Sequence, residues 1–525
     1  MKIKVLAVAE NPLISSGFGV YGTEILKRLA SNANLELACL ACSGSFADPA
    51  FFDLPYKVYS AMPNPRINSE VATYNTDPHN EFGKFRFDEV CLDFKPDIVI
   101  AWRDHMNDAY LEAAAFRRFY SLILMSSCDA APRHHGEIDT YSRLDGLITY
   151  GDFGRDTLSA QMGNFDEIYY GAAPPSADYD IFRPHFDKAG LKASLGLDGK
   201  IVIGTVNRNQ PRKMFPELIE AFSLLQKAAP DSIKDKLALY LHTSYPDQGW
   251  AIPQLLLNAG IASKTYFTYT CTTCKEASAS PYRGIQSLCP KCGAPTFQIA
   301  SSNAGVSRET LAGVYNCFDI YTQFATCEGF GMGLPEAAAC GVPGVTIDYS
   351  AMSEIAATIG AQAITPDCMR LEAGIERKLA CVSPEKMCEA LLKEVIKPSP
   401  LREFEGGKAA KRVREAYNYD KSAAVWQNAI YEVFNKSERD NWGAPARIIS
   451  EQLGDFHSQF QLAKYMAGAM NPESRKVNHK LLSRFMDSLS AGGDLAKREI
   501  WGQCLDKIMK YNRLERERMK RCILL

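Results

Sequence analysis

Short apolar runs alternate with longer amphipathic stretches along most of the chain, and this alternation predicts the architecture. In the first third, apolar runs lie at residues 3–9, 35–41, 97–101, 122–125 and 146–149, with helical patterns between them. Continuous apolar runs of this length are typical of parallel strands that are covered on both faces. Strands that alternate with helices in this way favour a doubly wound α/β domain.

The same alternation starts again near residue 200, after a Pro-rich segment at residues 171–184. Further strands are predicted from apolar runs at residues 201–207, 237–242, 265–269 and 318–324. Residues 216–228 have the pattern of an amphipathic helix with Pro216 near its start. We predict two Rossmann-like α/β domains, at residues 1–185 and 195–436.

The last part of the chain, residues 437–525, has Leu, Ile and Met at helical spacing and ends in a charged, net basic stretch. We predict a helical C-terminal extension here. A solvated packing helix is the simpler interpretation of the charged stretch, and a contact with a partner or nucleic acid is the alternative.

Composition excludes several classes of protein. The chain has 525 residues, which is too long for one hydrophobic core, and its 46% apolar and 23% charged residues are ordinary for a globular protein. A formal net charge of −2 gives no overall attraction to nucleic acid or anionic lipid. The first apolar run reads as a strand and not as a signal peptide, and no run has the length of a membrane span. We expect a cytoplasmic protein without a membrane anchor, and we make no prediction of its oligomeric state.

Four of the 16 cysteines form a metal-binding pattern. Cys271 and Cys274 form one CxxC pair, and Cys289 and Cys292 form a second after an interval of 14 residues. Four thiolates at this spacing fit tetrahedral Zn²⁺, and four cysteine ligands leave no open position for catalysis. We predict a structural zinc ribbon at residues 268–302, inserted into the second α/β domain.

The segment EGFGMGLPEAAACGVPGV, residues 328–345, is the most informative in the chain. Glu328 and Glu336 flank a Gly-rich turn that leads into an Ala-rich helix. Glycines let an anion approach the backbone closely, a helix N-terminus attracts phosphate, and carboxylates accept hydrogen bonds from sugar hydroxyls. A diphosphate and a sugar together indicate a nucleotide sugar as the ligand.

This segment resembles the signature of family-four retaining glycosyltransferases of the GT-B fold. The family frame has two glutamates separated by seven residues, followed by Gly and Pro, which correspond here to Gly341 and Pro343. The resemblance implies two Rossmann-like domains that face a cleft, the first on the acceptor side and the second binding the nucleotide sugar. It also implies that Glu336 binds the ribose hydroxyls and that Glu328 lies beside the donor sugar. Backbone groups of the turn would meet phosphate or sugar, and the candidates are Phe330, Gly331, Met332, Gly333 and Leu334.

A second motif follows the first strand of the second domain. Arg208 and Lys213 have the spacing of the family's Arg–Lys pair, which by the resemblance neutralises the departing diphosphate. Fixed cations lower the barrier where negative charge develops on a leaving group. Arg212 is the alternative if the register differs by one residue.

Candidates in the first domain are weaker. Gly17, Phe18 and Gly19 resemble the family's Gly-rich loop near the donor, except that Ser16 replaces the first glycine. Cys128 and Asp129 stand where the family often has a His–Asp pair. Candidate contacts to sugar or acceptor in this part of the chain are therefore Asp129, His134, His135 and His105.

Together these patterns predict a retaining glycosyltransferase that uses a nucleoside-diphosphate sugar, with zinc as a structural ion and no catalytic metal. The acceptor hydroxyl belongs to a glycan, a small molecule or a hydroxymethylated DNA base. The ribbon borders the donor site or extends toward the acceptor. Two alternatives remain, a non-catalytic binding or scaffold protein on a GT-B fold and a phosphorylase-like sugar transfer.

Overall fold

The computed structural model describes residues 2–14, 16–301 and 304–442. The chain divides into two compact units, and the first comprises the described residues of 1–124, 143–146 and from 429 onward. The second unit comprises residues 125–142 and 147–428. The predicted domain bounds at 185 and 195 remain predictions, and most of the predicted C-terminal extension lies outside the described residues.

The first half of the chain is an α/β series. Its strands are β1 (Ile3–Glu10), β2 (Leu35–Cys42), β3 (Lys57–Ser60), β4 (Ile98–Ala101), β5 (Ser121–Ser126), β6 (Gly146–Thr149) and β7 (Tyr169–Ala172). Its helices are α1 (Gly17–Ala30), α2 (Asn68–Tyr74), α3 (Lys84–Phe94), α4 (His105–Asp108), α5 (His135–Tyr141), α6 (Asp152–Ser159) and α7 (Phe165–Ile168). The sequence pattern predicted five of these strands, and all five are confirmed, with no end shifted by more than one residue.

The first sheet has the strand order β3-β2-β1-β4-β5-β6-β7. Its described pairings are parallel, and β1 pairs with β2 from Ile3 opposite Leu35 to Glu10 opposite Cys42. The central strands β1 and β4 are almost fully buried, as expected for parallel strands covered on both faces. A sheet that starts in the middle and winds outward in both directions is a Rossmann-type arrangement.

The second half of the chain repeats this plan with additional strands. Its strands are β8 (Ile201–Val206), β9 (Leu237–His242), β10 (Thr265–Cys271), β11 (Ala277–Pro281), β12 (Gln286–Ser287), β13 (Phe297–Ile299), β14 (Ile320–Gln323), β15 (Gly344–Ile347), β16 (Gln362–Ile364), β17 (Cys368–Leu371) and β18 (Lys378–Cys381). Its helices are α8 (Lys188–Ser194), α9 (Phe215–Ala228), α10 (Asp231–Lys234), α11 (Ile252–Asn258), α12 (Arg308–Asn316), α13 (Gly333–Ala339), α14 (Ser350–Ile359), α15 (Pro384–Val395), α16 (Ser399–Ala416) and α17 (Tyr419–Lys436).

The second sheet has the order β12-β13-β10-β9-β8-β14-β15-β16, and β11 also pairs with β10. Six consecutive strands of the sheet, β10-β9-β8-β14-β15-β16, are parallel. Strands β11 and β13 run antiparallel to β10. The chain order reverses between β8 and β14. In open α/β sheets ligands bind outside the carboxyl ends of the strands at such a switch point, so the loops after β8 and β14 are the expected site.

Helix α9 shows how the sequence forms this core. Pro216 occupies the first turn, where its missing N–H costs nothing, and the apolar side chains recur at helical spacing. Phe215, Leu218, Phe222 and Leu225 are each at most 2% exposed. They pack in one buried cluster with side chains of β8, β9 and β14.

A two-stranded antiparallel hairpin, β17 and β18, follows the second sheet. Within the described part of the chain, no helix is both long and apolar enough to cross a membrane.

Candidate active site

The segment after β8 turns sharply before helix α9. Residues 211–213 form a single 3-10 turn, and Met214 then adopts a left-handed conformation with φ of 37°. Met214 is 3% exposed, so its side chain fixes this turn in the core. Lys213 thereby lies inside the protein at the carboxyl end of β8, where its side chain is only 8% exposed.

Glu328 follows β14, the other strand at the switch point, and is 4% exposed. Its carboxylate oxygen Oε1 accepts hydrogen bonds from Lys213 Nζ and from Gln323 Nε2, the latter at 2.9 Å. Arg212 approaches Oε2 at 3.7 Å. The backbone N–H of Glu328 donates to Ser350 Oγ at 3.0 Å. The loops after the two strands therefore meet at a buried carboxylate that pairs with the buried Lys213 and lies near the partly exposed Arg212.

Burial lowers the pKa of Lys213 from its usual value, and the adjacent Glu328 carboxylate opposes this shift. A buried lysine without a counter-charge would lose its proton, because desolvation disfavours the charged form. The pairing with Glu328 therefore favours the protonated form of Lys213 at the switch point.

Glu336 lies on the first turn of α13 and accepts a hydrogen bond from the hydroxyl of Tyr315 at 2.8 Å. Tyr315 is fully buried, which fixes the position of this donor. Burial raises the pKa of Glu336 to about 7, although Tyr315 and Arg308 both favour the ionised form. The carboxyl group thus changes its charge near neutral pH.

The turn between the two glutamates requires its glycines. A Cβ at Gly333 would overlap the Tyr321 hydroxyl oxygen, and Gly331 has φ of 86°. The side chains of Phe330 and Leu334 are buried, at 7% and 1% exposure. Because these side chains face the core, any contact of Phe330 or Leu334 with a ligand would come from the backbone, as the sequence predicts.

Arg208 does not join the Lys213–Glu328 network. Its Nε and one terminal nitrogen donate to the two oxygens of Asp247, at 2.9 and 3.0 Å. The Arg208 side chain is 47% exposed, whereas that of Asp247 is 8% exposed. The structure thus places the two predicted cations in different surroundings, and Arg212 lies nearer to Glu328 than Arg208 does.

Asp129 is occupied by two arginines of the same unit. Arg133 donates to its carboxylate at 2.7 Å, and Arg377, immediately before β18, donates to both oxygens at 2.8 Å. Cys327, which precedes Glu328, has its Sγ 3.7 Å from the same carboxylate. Asp129 therefore ties the segment after β5 to the β17–β18 hairpin beside the Glu328 loop.

The predicted histidines have separate surroundings. His134 is the N-cap of α5, where its Nδ1 accepts from the N–H of Gly136 at 3.1 Å, and its ring lies 4.0 Å from that of the exposed His135. His105 begins the short helix α4 in the first unit. None of the contacts described for these histidines is with Lys213 or Glu328.

Gly17, Phe18 and Gly19 are the first turn of helix α1 in the first unit, whereas the sequence predicted a loop that opens the helix. The difference arises from Ser16, whose side chain caps the helix by accepting from the N–H of Gly19 at 2.9 Å. A Cβ at Gly19 would overlap the Ile14 carbonyl oxygen, while Gly17 has open space. The close approach therefore belongs to the second glycine only.

Cys271, Cys274, Cys289 and Cys292 come together as predicted, with all four sulfur atoms within 4.8 Å of one another. The Sγ–Sγ distances are 3.7 Å for Cys271 and Cys292 and 3.6 Å for Cys274 and Cys289. Tetrahedral coordination with Zn–S bonds of about 2.3 Å requires edges of about 3.8 Å. The cluster therefore fits a zinc ion.

Sequence reasoning missed four side chains that shape this site, Asp247, Gln323, Tyr315 and Tyr321. Asp247 follows β9, the neighbour of β8, so its position at a strand end was a usable signal. Gln323 bridges Glu328 and Asn207, and Tyr321 donates to Gln323 Oε1 at 2.6 Å. These two occupy alternate positions of β14 and face the same side, which the period of a strand also predicts.

Two mainly parallel sheets, each wound outward from its first strand, with charged residues at the switch point of the second, are features of the GT-B fold. No protein-family model matches the chain, and no curated protein matches it. Solved structures of other proteins do match it over most of its length.

The sucrose-phosphate synthase of Thermosynechococcus elongatus has a TM-score of 0.59 at 13% identity, over 83% of this chain and 100% of that chain. HepE from Anabaena, in complex with UDP and glucose, has a TM-score of 0.56 at 13% identity, over 82% and 100%. The α,α-trehalose 6-phosphate synthase of Burkholderia multivorans has a TM-score of 0.53 at 12% identity, over 83% and 98%. These neighbours are GT-B glycosyltransferases, and the predicted GT-B fold is confirmed.

Proposed function

We propose that this chain is a retaining glycosyltransferase that moves a sugar from a nucleoside-diphosphate sugar to an acceptor hydroxyl. One observation carries the proposal: the loops after β8 and β14 bring Lys213 and Glu328 together as a buried pair at the switch point. A buried charge pair is not explained by stability alone, because apolar side chains of similar volume stabilise a fold equally well or better. A polar pair at the expected ligand edge of the sheet instead supports a functional role.

Each member of the site has a role that its chemistry permits. Lys213 and Arg208 stabilise the negative charge that develops on the departing diphosphate. Glu328 orients Lys213 and lies beside the donor sugar. Glu336, held by Tyr315, accepts hydrogen bonds from the ribose hydroxyls in its ionised form. The backbone of residues 330–334 meets the phosphate or the sugar.

The bond between the anomeric carbon and the phosphate oxygen breaks, and a bond between the same carbon and the acceptor oxygen forms on the same face. The acceptor proton passes to the departing phosphate oxygen. The products are a glycoside with unchanged anomeric configuration and a nucleoside diphosphate. No additional base is required, because the leaving group takes the proton.

The cluster of four cysteines binds one structural zinc ion in this proposal. Its four thiolates complete a tetrahedral shell, so the ion stabilises the inserted strands β10 to β13. Purified protein should contain one zinc per chain by metal analysis, and Cys289→Ser should lose it. Cys368→Ser, at an exposed cysteine of the β17–β18 hairpin, is the matched control and should keep the zinc. Protein without zinc would contradict the metal assignment.

Donor binding tests the main proposal. Thermal unfolding is measured with UDP-, GDP- and ADP-sugars without added metal, for the wild type, Glu336→Ala and the control Glu220→Ala, an exposed position on α9. One donor should raise the Tm of the wild type and the control, and should leave Glu336→Ala unshifted. The absence of a shift with all donors would favour the scaffold alternative.

The reaction is tested next with the donor that binds. That donor, radiolabelled, is offered to glycan, small-molecule and hydroxymethylated DNA acceptors, and the anomeric configuration of the product is read by NMR. Retained configuration supports the proposal, whereas inversion contradicts it. Release of sugar phosphate that depends on inorganic phosphate would instead favour the phosphorylase-like alternative.

A further inference from the structure

The inserted strands are part of the core of the second unit and do not form a separate appendage. We call residues 265–299, which contain β10 to β13, the ribbon. Cys271 and Cys289 are 0% and 3% exposed and belong to the same buried cluster as Met214 and Phe215, which follow Lys213. The rings of Tyr269 and Phe297 stack within the ribbon at 5.4 Å. A change in the ribbon can therefore reach the segment after β8 through packed side chains.

The loop after β9, residues 243–250, binds the segment after β8 at two consecutive residues. We call it the β9 loop. Asp247 in this loop pairs with Arg208, and Asn209, which is fully buried, exchanges two hydrogen bonds with the backbone of Trp250 at 2.8 and 2.9 Å. A Cβ at Gly249 would overlap Asn209 Oδ1. The two segments thus pack so closely that only a glycine fits at position 249. The hydrogen bonds of Asn209 with Trp250 therefore hold the backbone next to Arg208 in place.

The ribbon contacts the β9 loop through one aromatic ring. Tyr282, which directly follows β11, packs edge-to-face against Tyr245 with centroids 6.2 Å apart, and against Phe267 at 6.0 Å. Tyr245 precedes Asp247 by two residues. Tyr282 is therefore linked to Arg208 by a ring contact with Tyr245, by the two residues of chain from Tyr245 to Asp247, and by the ion pair of Asp247 with Arg208.

We propose that the ribbon positions Arg208 for the donor diphosphate through the contacts of Tyr282 with Tyr245 and of Asp247 with Arg208. This inference rests on the proposed function, in which Arg208 meets the diphosphate. Asp247 and Tyr282 are positioning residues, since they act on the donor through Arg208.

The geometry of the Arg208–Asp247 pair suits this role. Asp247 binds the Nε side of the guanidinium, and no described residue hydrogen-bonds the remaining terminal nitrogen, whose two N–H groups can meet a phosphate. Asp247 also offsets the positive charge, which would weaken phosphate binding. Because Arg208 is half exposed, water screens that Coulomb effect, and we expect the gain from restricting a long flexible side chain to exceed it.

A double-mutant cycle tests the series of contacts. The Kd of the donor identified above is measured by calorimetry for the wild type, Arg208→Ala, Tyr282→Ala and the double variant. Tyr282→Ala should weaken binding about 3- to 10-fold in the wild type, as expected for the loss of an aromatic contact. In the Arg208→Ala background it should have less than about a 2-fold effect, because the residue through which it acts is gone.

Two controls separate positioning from a general loss of structure. Tyr282→Phe keeps the ring and should bind the donor as the wild type does. Leu288→Ala changes a ribbon side chain that is 68% exposed, and should also leave the Kd unchanged. Zinc content is measured for each variant and should stay at one ion per chain.

Asp247→Asn completes the test, with an expected loss of about 10-fold in donor affinity and rescue in part by Asp247→Glu. Equal weakening by Tyr282→Ala in both backgrounds, or tighter binding by Asp247→Asn, would overturn the inference. If the wild type binds no donor, the proposed function itself fails. If the wild type binds and Tyr282→Ala binds equally well, only the further inference fails.

Discussion

Lys213 and Arg208 leave the same strand five residues apart, yet their ion pairs lie in opposite environments. The Lys213–Glu328 pair has side chains that are 8% and 5% exposed, whereas Arg208 is 47% exposed beside Asp247. Glu328 comes from β14, across the switch point, and Asp247 comes from β9, on the other side of β8. One strand end thus carries a buried cation and a solvated cation, each paired with a different neighbouring strand.

The difference in burial determines how much each ion pair contributes to the stability of the fold. A buried charge that loses its partner keeps its full desolvation penalty, so loss of either member of the Lys213–Glu328 pair should lower stability. The Arg208–Asp247 pair, whose cation is half exposed, contributes less to stability, because water and salt screen the exposed guanidinium. Arg208 is therefore free to exchange part of its surroundings for a ligand at small cost to the fold, and Lys213 is not.

The largest expected effect follows from removal of Lys213. Lys213→Met leaves the buried Glu328 carboxylate with only the partly exposed Arg212, at 3.7 Å, as a nearby cation, and we expect the free energy of unfolding to fall by about 3–5 kcal/mol. The double variant Lys213→Met/Glu328→Leu removes both charges and should recover most of this loss without recovering activity. Urea unfolding monitored by circular dichroism measures the stability of the single and the double variant, and sugar transfer from the donor measures their activity.

A loss from Lys213→Met that stays below about 1 kcal/mol would contradict this contrast, since that is the size typical of exposed pairs. Lys386→Met is a matched control, because Lys386 is 37% exposed and pairs with Asp367 at 3.0 Å. Its unfolding curve should remain close to that of the wild type.

Arg208→Ala should have its main effect on the donor. Loss of hydrogen bonds from a charged donor to phosphate costs about 1.5–3 kcal/mol, which corresponds to roughly 10- to 150-fold in Kd. Arg155→Ala is the matched control, because Arg155 is 42% exposed and pairs with two aspartates on helix α6. Calorimetric titration with the donor measures each variant.

Arg212→Ala tests the alternative register in the same titration. Arg212 is 42% exposed and lies 3.7 Å from Glu328. If Arg212→Ala weakens donor binding more than Arg208→Ala does, Arg212 is the second cation of the site. The contrast between a buried and a solvated cation would then hold for adjacent residues, Arg212 and Lys213.

The ionisation of Glu336 should make donor affinity depend on pH. Its pKa of about 7 means that roughly a tenth of the molecules are ionised at pH 6 and nine tenths at pH 8. In the proposed function ribose hydroxyls donate to the ionised form, so donor affinity should rise about 10-fold between these values. Glu336→Gln, which does not titrate, should give a flat profile. A wild-type affinity that falls as pH rises would contradict the assignment of Glu336 to the ribose.

The local sequence predicted the strand ends better than it predicted the partners of the side chains found there. Arg208, Lys213 and Glu328 were identified because their motifs resemble those of the family, and their place after apolar runs supported this, since parallel strands have their carboxyl ends at one edge. The pairing of Arg208 with Asp247 depends on β9 lying beside β8, a fact of sheet order that periodicity does not encode. The four cysteines were predictable because the ion, and not the fold, dictates their spacing.

Asp129 illustrates what the sequence could not show. The family resemblance made Asp129 a candidate sugar contact, which stays a prediction, and the structure adds that Arg377, 248 residues away, donates to both of its oxygens. Such long-range pairs leave no local pattern. Ser16, in contrast, is a local signal. A serine three residues before Gly19 is typical of an N-cap, and this cap favours the helical first turn that the structure shows in place of the predicted loop.

The smallest effect, and the most direct test of the contrast, is the response to salt. Raising the ionic strength from about 0.05 to 1 M shortens the Debye length to about 3 Å and screens exposed charges, while buried pairs are little affected. The difference in unfolding free energy between Asp247→Asn and the wild type should therefore be below about 1 kcal/mol at low salt and should vanish at high salt. The difference between Lys213→Met and the wild type should remain nearly constant over the same range. If both differences shrink in parallel, water reaches the Lys213–Glu328 pair, and the two cations at the end of β8 share one environment.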